Sequence, residues 1–226
     1  MTGKFIGVGV GPGDTELITL KAVRVLNETG VIAVPRTKGE KNAAFDIAAA
    51  NVDFGRKEII YIDFPMTKDK KITEENRKQI ALKIEEYLKA GKDVAFITLG
   101  DVAVYSTYGY IADIVKNDGY ETQMISGVPS FCAIAARLGI SLTDMKKPLH
   151  IIPALYDDTE KRLELDGSLV LMKAGSSMGK IKAALRDTNF YSAAAENCGM
   201  ENEKIFTDIE NAEDKEGYFT TVIIKK

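Results

Sequence analysis

Three short segments concentrate residue types that hold ligands: GVGVGPGD at 7–14, TLGDVAVYSTYGY at 98–110 and SGVPSF at 126–131. Glycine allows tight turns and close approach of backbone to a ligand, so the first segment suggests a nucleotide loop. A dinucleotide fingerprint requires G-x-G-x-x-G, yet the third position falls on Pro12 counting from Gly7 and on Asp14 counting from Gly9. Asp14 reads instead as a helix cap, its carboxylate occupying the positive end a pyrophosphate would want. The strand VIAVPRT ends in Pro35 and Arg36, with no acidic residue for a ribose, although an arginine there could suit a phosphorylated one. KAGSSMGKIK, at 173–182, imitates a phosphate loop and also fails: Gly175 and Gly179 are one residue too close, and Ile181 follows Lys180 where Ser or Thr belongs. The second segment is different. Asp101 after Gly100, then the hydroxyls of Tyr105, Ser106, Thr107 and Tyr108, make a polar strand-to-helix junction suited to gripping a polar ligand such as an amino acid.

Other chemistries find little support. The single histidine, His150, lies in an apolar run and reads as structural, and Cys132 and Cys198 read as buried free thiols. No grouping has metal-ligand spacing, so no metal is expected. No nucleophile elbow accompanies a Ser-His-Asp set. The net charge of -3 in 226 residues gives no general attraction to nucleic acid. No apolar run approaches the roughly 20 residues of a membrane span, and MTGKFIGVGV leads into a glycine turn; a cytoplasmic protein without membrane partner is expected.

These segments need a scaffold that brings them together. β-branched runs at 4–10, 30–34, 58–62, 93–98 and 121–125 alternate with amphipathic stretches, which predicts parallel strands covered by helices. In DTELITLKAVRVLNE, Leu17, Leu20, Val23, Val25 and Leu26 are expected to line one face, with Gly30 as stop. In TEENRKQIALKIEEYLKAG the stripe is Ile80, Ile84, Tyr87 and Leu88, with Thr73 as cap and Gly91 as stop. After a proline-started helix at SGVPSFCAIAARLG, the strands LHIIPA, SLVLMK, FYSAAAE, KIFT and YFTTVIIKK predict a mixed sheet. The expected architecture is two α/β domains, 1–126 and 127–226, the first mostly parallel with helices on both faces and the second mixed, with a ligand cleft between them. All three motif segments then fall at carboxyl ends of parallel strands, where open α/β sheets place ligands.

The order G-x-G-P-G-D (Gly9–Asp14), G-D-x-x-x-Y-S-T (Gly100–Thr107) and G-x-P-S (Gly127–Ser130) resembles the tetrapyrrole methylases. Within them the YST form and the YFTT ending resemble the precorrin-2 or cobalt-factor-II C-20 methyltransferases of cobalamin biosynthesis. The likeness continues through LMKAG at 171–175 and AEN at 195–197. It implies a two-domain tetrapyrrole methylase fold with S-adenosylmethionine in the cleft, so that the glycine loop borders a cofactor without cradling phosphate. By motif position the resemblance assigns cofactor contacts to Pro12, Leu99, Gly100, Asp101, Val104, Tyr105, Ser106, Thr107, Ser130 and Phe131. From the second domain it assigns Met172, Lys173, Ala195, Glu196 and Thr221, with Leu155 from a stretch that aligns less securely.

The resemblance further implies a homodimer and a tetrapyrrole substrate rich in carboxylates. Arg36, Lys38 and Lys68 are candidates to pair with those carboxylates, the 35–42 loop foremost. A sulfonium brings its own activated methyl, so no protein nucleophile or metal is required, and no side chain is assigned as proton acceptor. Asp101 is a candidate for the cofactor's amino-acid portion, and Tyr105 or Tyr108 for facing the substrate. Three functions stay open: C-20 methylation of precorrin-2 or cobalt-factor II; methylation of another ring position or a diphthamide precursor; and a sensor that binds S-adenosylmethionine without turnover.

Overall fold

A computed structural model describes residues 1–36, 42–65, 67, 69–154 and 159–226, with backbone alone at 159 and 160. The chain packs as two compact units, Met1–Pro129 and Ser130–Lys226. In the first, β1 (Lys4–Gly9), β2 (Val31–Arg36), β3 (Glu58–Asp63), β4 (Val94–Thr98) and β5 (Glu121–Ile125) form one sheet in the order β3-β2-β4-β1-β5. Every neighbouring pair is parallel. Parallel neighbours need long crossovers, here supplied by α1 (Leu20–Glu28), α2 (Ala43–Ala49), α3 (Lys70–Lys89) and α4 (Tyr108–Asn117).

Side-chain alternation along β1 separates two apolar layers. Phe5 joins Phe96, Tyr108 and the α3 residues Ile80, Ile84 and Leu88 on one face. Ile6 and Val8 join Ile97, Leu26 of α1 and Ile47 of α2 on the other. The central neighbours β1 and β4 thus send their following helices to opposite faces, which opens the sheet edge between their carboxyl ends.

Local chemistry moves several expected boundaries. Asp14 caps only a 3-10 turn, Thr15–Leu17, accepting from the Glu16 N–H, while Thr19 caps α1 by accepting from the Ala22 N–H at 3.1 Å. The break turns Leu20 outward, 89% exposed, and Ala22 takes the inward position with Val25 and Leu26. Asp69 caps α3 in place of Thr73, its carboxylate accepting from the Lys71 N–H at 2.8 Å. Gly91 does follow that helix with φ +75°, a conformation that favours glycine.

Tyr108 is also not a surface group. It is buried in the first layer, and its hydroxyl lies between the carbonyls of Phe5 (2.9 Å) and Gln123 (2.8 Å), its single proton shared between the two acceptors. Burial pushes the phenol pKa up to about 12, so the proton stays on oxygen and locks β1 to β5 beneath the site edge. Tyr108→Phe is expected to lower unfolding free energy by about 1–2 kcal/mol in urea titration, with cofactor affinity unchanged.

The second unit contains α5 (Ser130–Leu138), β6 (Leu149–Pro153), α6 (Thr159–Arg162), β7 (Ser168–Met172), α7 (Met178–Leu185), β8 (Tyr191–Glu196), β9 (Lys204–Phe206) and β10 (Thr220–Lys225). Its sheet, β6-β7-β10-β8-β9, is mixed: β6 and β7 are parallel, and the other pairs antiparallel. Leu169, Leu171, Val222 and Ile224 pack with Met178, Ile181 and Leu185 of α7 to form its core. Lys180 is exposed on α7, consistent with a helix surface. His150 lies on β6 and its Nε2–H donates to the Asp166 carbonyl at 2.9 Å, a structural role. Cys198 is buried as expected, whereas Cys132 is exposed on α5. No described helix is long and apolar enough to cross a membrane.

Candidate active site

The three glycine-bearing segments meet at the carboxyl edge of the first sheet. Gly11 and Gly100 form an isolated bridge: the Gly100 N–H donates to the Gly11 carbonyl at 2.7 Å and the Gly11 N–H to the Gly100 carbonyl at 3.2 Å. Both have positive φ, +89° and +73°. Gly127 presses against the same place. A Cβ on Gly127 would lie 2.3 Å from the Gly100 carbonyl oxygen and 2.7 Å from the Gly9 carbonyl carbon, and a Cβ on Gly9 would lie 2.7 Å from the same Gly100 oxygen. Glycine is required here for close packing of three backbones, and Pro12 is buried beside the bridge.

Asp101 fastens this cluster. One carboxylate oxygen accepts from the Ala103 N–H at 2.8 Å, the other from the Gly127 N–H at 2.8 Å, joining the loop after β4 to the loop after β5. These two bonds give Asp101 a role in loop positioning. Ser106 is likewise engaged, donating to Thr98 Oγ1 at 3.3 Å and accepting from the Tyr108 N–H at 3.2 Å. Leu99 and Val104 are half-buried, and Thr107 is an exposed residue at the start of α4 that makes no capping bond. Tyr105 stands out by its backbone, with φ +49° and about half its surface exposed.

A corresponding edge exists in the second unit. β7 and β8 flank β10, and the register sets Thr221 opposite both Met172 and Ala195, with Thr220 opposite Glu196. Four of the expected contacts, Met172, Ala195, Glu196 and Thr221, are therefore brought together by strand pairing. Lys173 and Asn197 follow directly on β7 and β8 with φ +58° and +51°. Together with Tyr105 they are the only non-glycine residues with positive φ among the described residues. All fall within the segments singled out from sequence, and such strain is a mark of functional positions. Lys173→Gly is expected to remove about 1 kcal/mol of backbone strain, raising the unfolding midpoint while weakening cofactor binding, as denaturation and titration calorimetry would read.

Features that sequence reading missed surround this edge. Tyr218 and Phe219 pack edge to face at 5.3 Å, both substantially exposed, with the Lys173 ammonium 5.3 Å from the Tyr218 ring centroid. The YFTT ending marked the place but not the exposure of its aromatics. Arg137 makes a forked pair with Glu203 (2.7 and 3.2 Å), whose Oε1 also accepts from the Gly199 N–H at 2.7 Å, which fixes the loop beyond Asn197. The Arg137 hydrogen bond holds the Glu203 carboxyl below its usual range despite partial burial.

The remaining expected contacts distribute as follows. Ser130 and Phe131 open α5, the serine half-buried and the phenylalanine buried. Leu155 lies outside the described residues, as do Lys38 and Lys68 and most of the 35–42 loop. Arg36 is described and engaged: Nε and Nη2 reach Asp63 at 2.9 and 3.1 Å. Among the described residues, no group of three or more His, Cys, Asp or Glu is placed to hold a metal ion.

The chain is a two-unit α/β protein, each of whose sheets gathers motif residues at one edge. Residues 4–213 match the family model of tetrapyrrole (corrin/porphyrin) methylases, and the chain belongs to that family. It is 34% identical, over 99% of its length and 96% of the relative's, to a probable cobalt-precorrin-2 C(20)-methyltransferase of Methanocaldococcus jannaschii. A cobalt-precorrin-2 C(20)-methyltransferase of Salmonella typhimurium is 29% identical over 100% of this chain and 98% of its own. Among solved structures, the fold is similar to uroporphyrin-III C-methyltransferase from Thermus thermophilus complexed with S-adenyl homocysteine, with TM-score 0.71, 21% identity, and 98% and 97% of the two chains covered.

Proposed function

We propose that this chain transfers a methyl group from S-adenosylmethionine to the C-20 meso carbon of a precorrin-2-type tetrapyrrole in cobalamin biosynthesis, with the cobalt-loaded ring as its better substrate. The observation that carries the reading is the full-length likeness to relatives named for that position and for the cobalt form. The residues present suit such a cofactor. The edge at Gly9, Gly100 and Gly127 is bare of side chains, and Glu196 Oε2 is a buried acceptor with an ion pair to Lys204 at 3.3 Å but no well-aligned hydrogen bond.

S-adenosylmethionine supplies an activated methyl on a sulfonium that an electron-rich ring carbon attacks directly. The chain's own task is therefore binding, orientation and exclusion of water. In the first unit the contacts fall to the backbone at Leu99 and Gly100, held by Asp101, and in the second unit to Met172, Ala195, Glu196 and Thr221. Lys173 and the exposed rings of Tyr218 and Phe219 offer a cation and an aromatic face to a flat, carboxylate-bearing ring. Arg36 serves less well, because Asp63 already occupies its fork.

We take the enzyme to act as a cytoplasmic homodimer, for which sedimentation velocity should give twice the mass of the chain. The activity is tested by mass spectrometry of anaerobic reactions with cobalt-loaded and metal-free precorrin-2 in parallel. One added methyl per ring, faster with cobalt, is expected. Cofactor binding without methylation of either ring would contradict the reading and favour a sensor or another substrate.

A further inference from the structure

Glu196, already placed among the cofactor contacts, belongs to a charge cluster in the second unit whose other members, Glu216 and Lys204, have no role in the function proposed above. The side chains of Glu216 and Glu196 are 2% and 11% exposed. Carboxylates removed from water need compensation, and these share one ammonium. Lys204 Nζ lies 2.9 Å from Glu216 Oε2, as a hydrogen bond, and 3.3 Å from Glu196 Oε2. The sharing is unequal. Glu216 Oε1 also accepts from the Glu213 N–H at 2.8 Å, so both of its oxygens are served. Glu196 Oε1 receives only a long 3.3 Å bond from Asn197 Nδ2, and Oε2 has the 3.3 Å Lys204 ion pair but no well-aligned hydrogen bond.

The Glu196 carboxylate is nevertheless fixed in place. Lys204 stands opposite it across the β8–β9 pair, and Gly217 makes room for it, since a Cβ there would lie 2.2 Å from Oε1. The segment ending at Gly217 is itself pinned, with the Glu216 N–H donating to the Gly175 carbonyl at 3.0 Å. A rigid acceptor that is buried and short of a donor is completed by an N–H or O–H from a ligand.

We infer that Lys204 and Glu216 form a positioning clasp, which holds the Glu196 carboxylate ready to accept a hydrogen bond from the adenosyl cofactor. Lys204 then acts on cofactor binding only through Glu196. This rests on the cofactor reading above, and the test separates the two. Titration calorimetry of S-adenosylhomocysteine into the full chain comes first: no binding by the wild type overturns the cofactor reading itself. Given wild-type binding, Lys204→Met should weaken affinity about tenfold, and Lys204→Arg should stay within about threefold of wild type. In a Glu196→Gln background, Lys204→Met should change affinity by less than about twofold, because the group it acts through is already altered. An equal loss in both backgrounds, or none in the wild type, overturns the clasp. Should Lys204→Met fail to fold, the isosteric Glu216→Gln runs through the same cycle. It frees the ammonium to pair fully with Glu196 and is expected to weaken binding in the wild type but not beside Glu196→Gln.

Discussion

Gly127→Ala is expected to abolish cofactor binding and to destabilise the first unit by about 3 kcal/mol or more. The added methyl has no flexible neighbour to push aside: a carbonyl oxygen of Gly100 at 2.3 Å and the backbone of Gly9 at 2.7–2.8 Å surround it. Relief requires the loops after β1, β4 and β5 to separate, and that same separation would break the Asp101–Gly127 bond and the Gly11–Gly100 bridge. Urea unfolding and titration with S-adenosylhomocysteine read the two effects independently. A variant with wild-type midpoint and affinity would show that the three loops are not packed as described.

Asp101→Ala carries the second-largest expected effect, a loss of about 100-fold in kcat/KM, the scale at which misplacement by about an ångström costs an enzyme its alignment. Both oxygens are used by backbone donors, Ala103 N–H and Gly127 N–H, so alanine strands two donors at a crowded edge. Asp101→Asn should recover only part of the loss. Its amide can still accept from one N–H, but its own NH₂ then faces the other. Equal activity of the aspartate and asparagine enzymes would argue that the charge-assisted tie between the two loops is dispensable.

The first sheet was legible because its strands are short, β-branched and separated by helical stretches, a pattern in which composition and period agree. Helix starts were less so. The stripe from Leu17 to Leu26 suits one continuous helix, yet Thr19 offers a local cap that outcompetes it and turns Leu20 to solvent. Asp69 likewise displaced Thr73 as cap because a carboxylate one turn earlier reaches the Lys71 N–H.

At the site, the motif segments were visible in one dimension, but the duties of their residues were not. Asp101 and Tyr108 are polar residues in a ligand-type segment, yet Asp101 accepts from backbone amides of its own loop and of the loop after β5, and Tyr108 bonds to carbonyls of β1 and β5. Such partners depend on strand order, which places β1 between β4 and β5 although they are far apart in sequence. The Glu196–Lys204–Glu216 cluster was hidden for the same reason: Glu196 and Lys204 become opposite only through the β8–β9 register. Positive φ at Tyr105, Lys173 and Asn197 has no sequence signal in residues other than glycine, apart from the mild tolerance of asparagine for that region.

The central claim concerns which carbon receives the methyl. The most direct measurement is ¹³C NMR of the product formed anaerobically from metal-free precorrin-2, whose ring is diamagnetic, with S-adenosylmethionine enriched at its methyl carbon. One enriched methyl bonded to C-20 is the predicted result. An enriched methyl on any other ring carbon would contradict it.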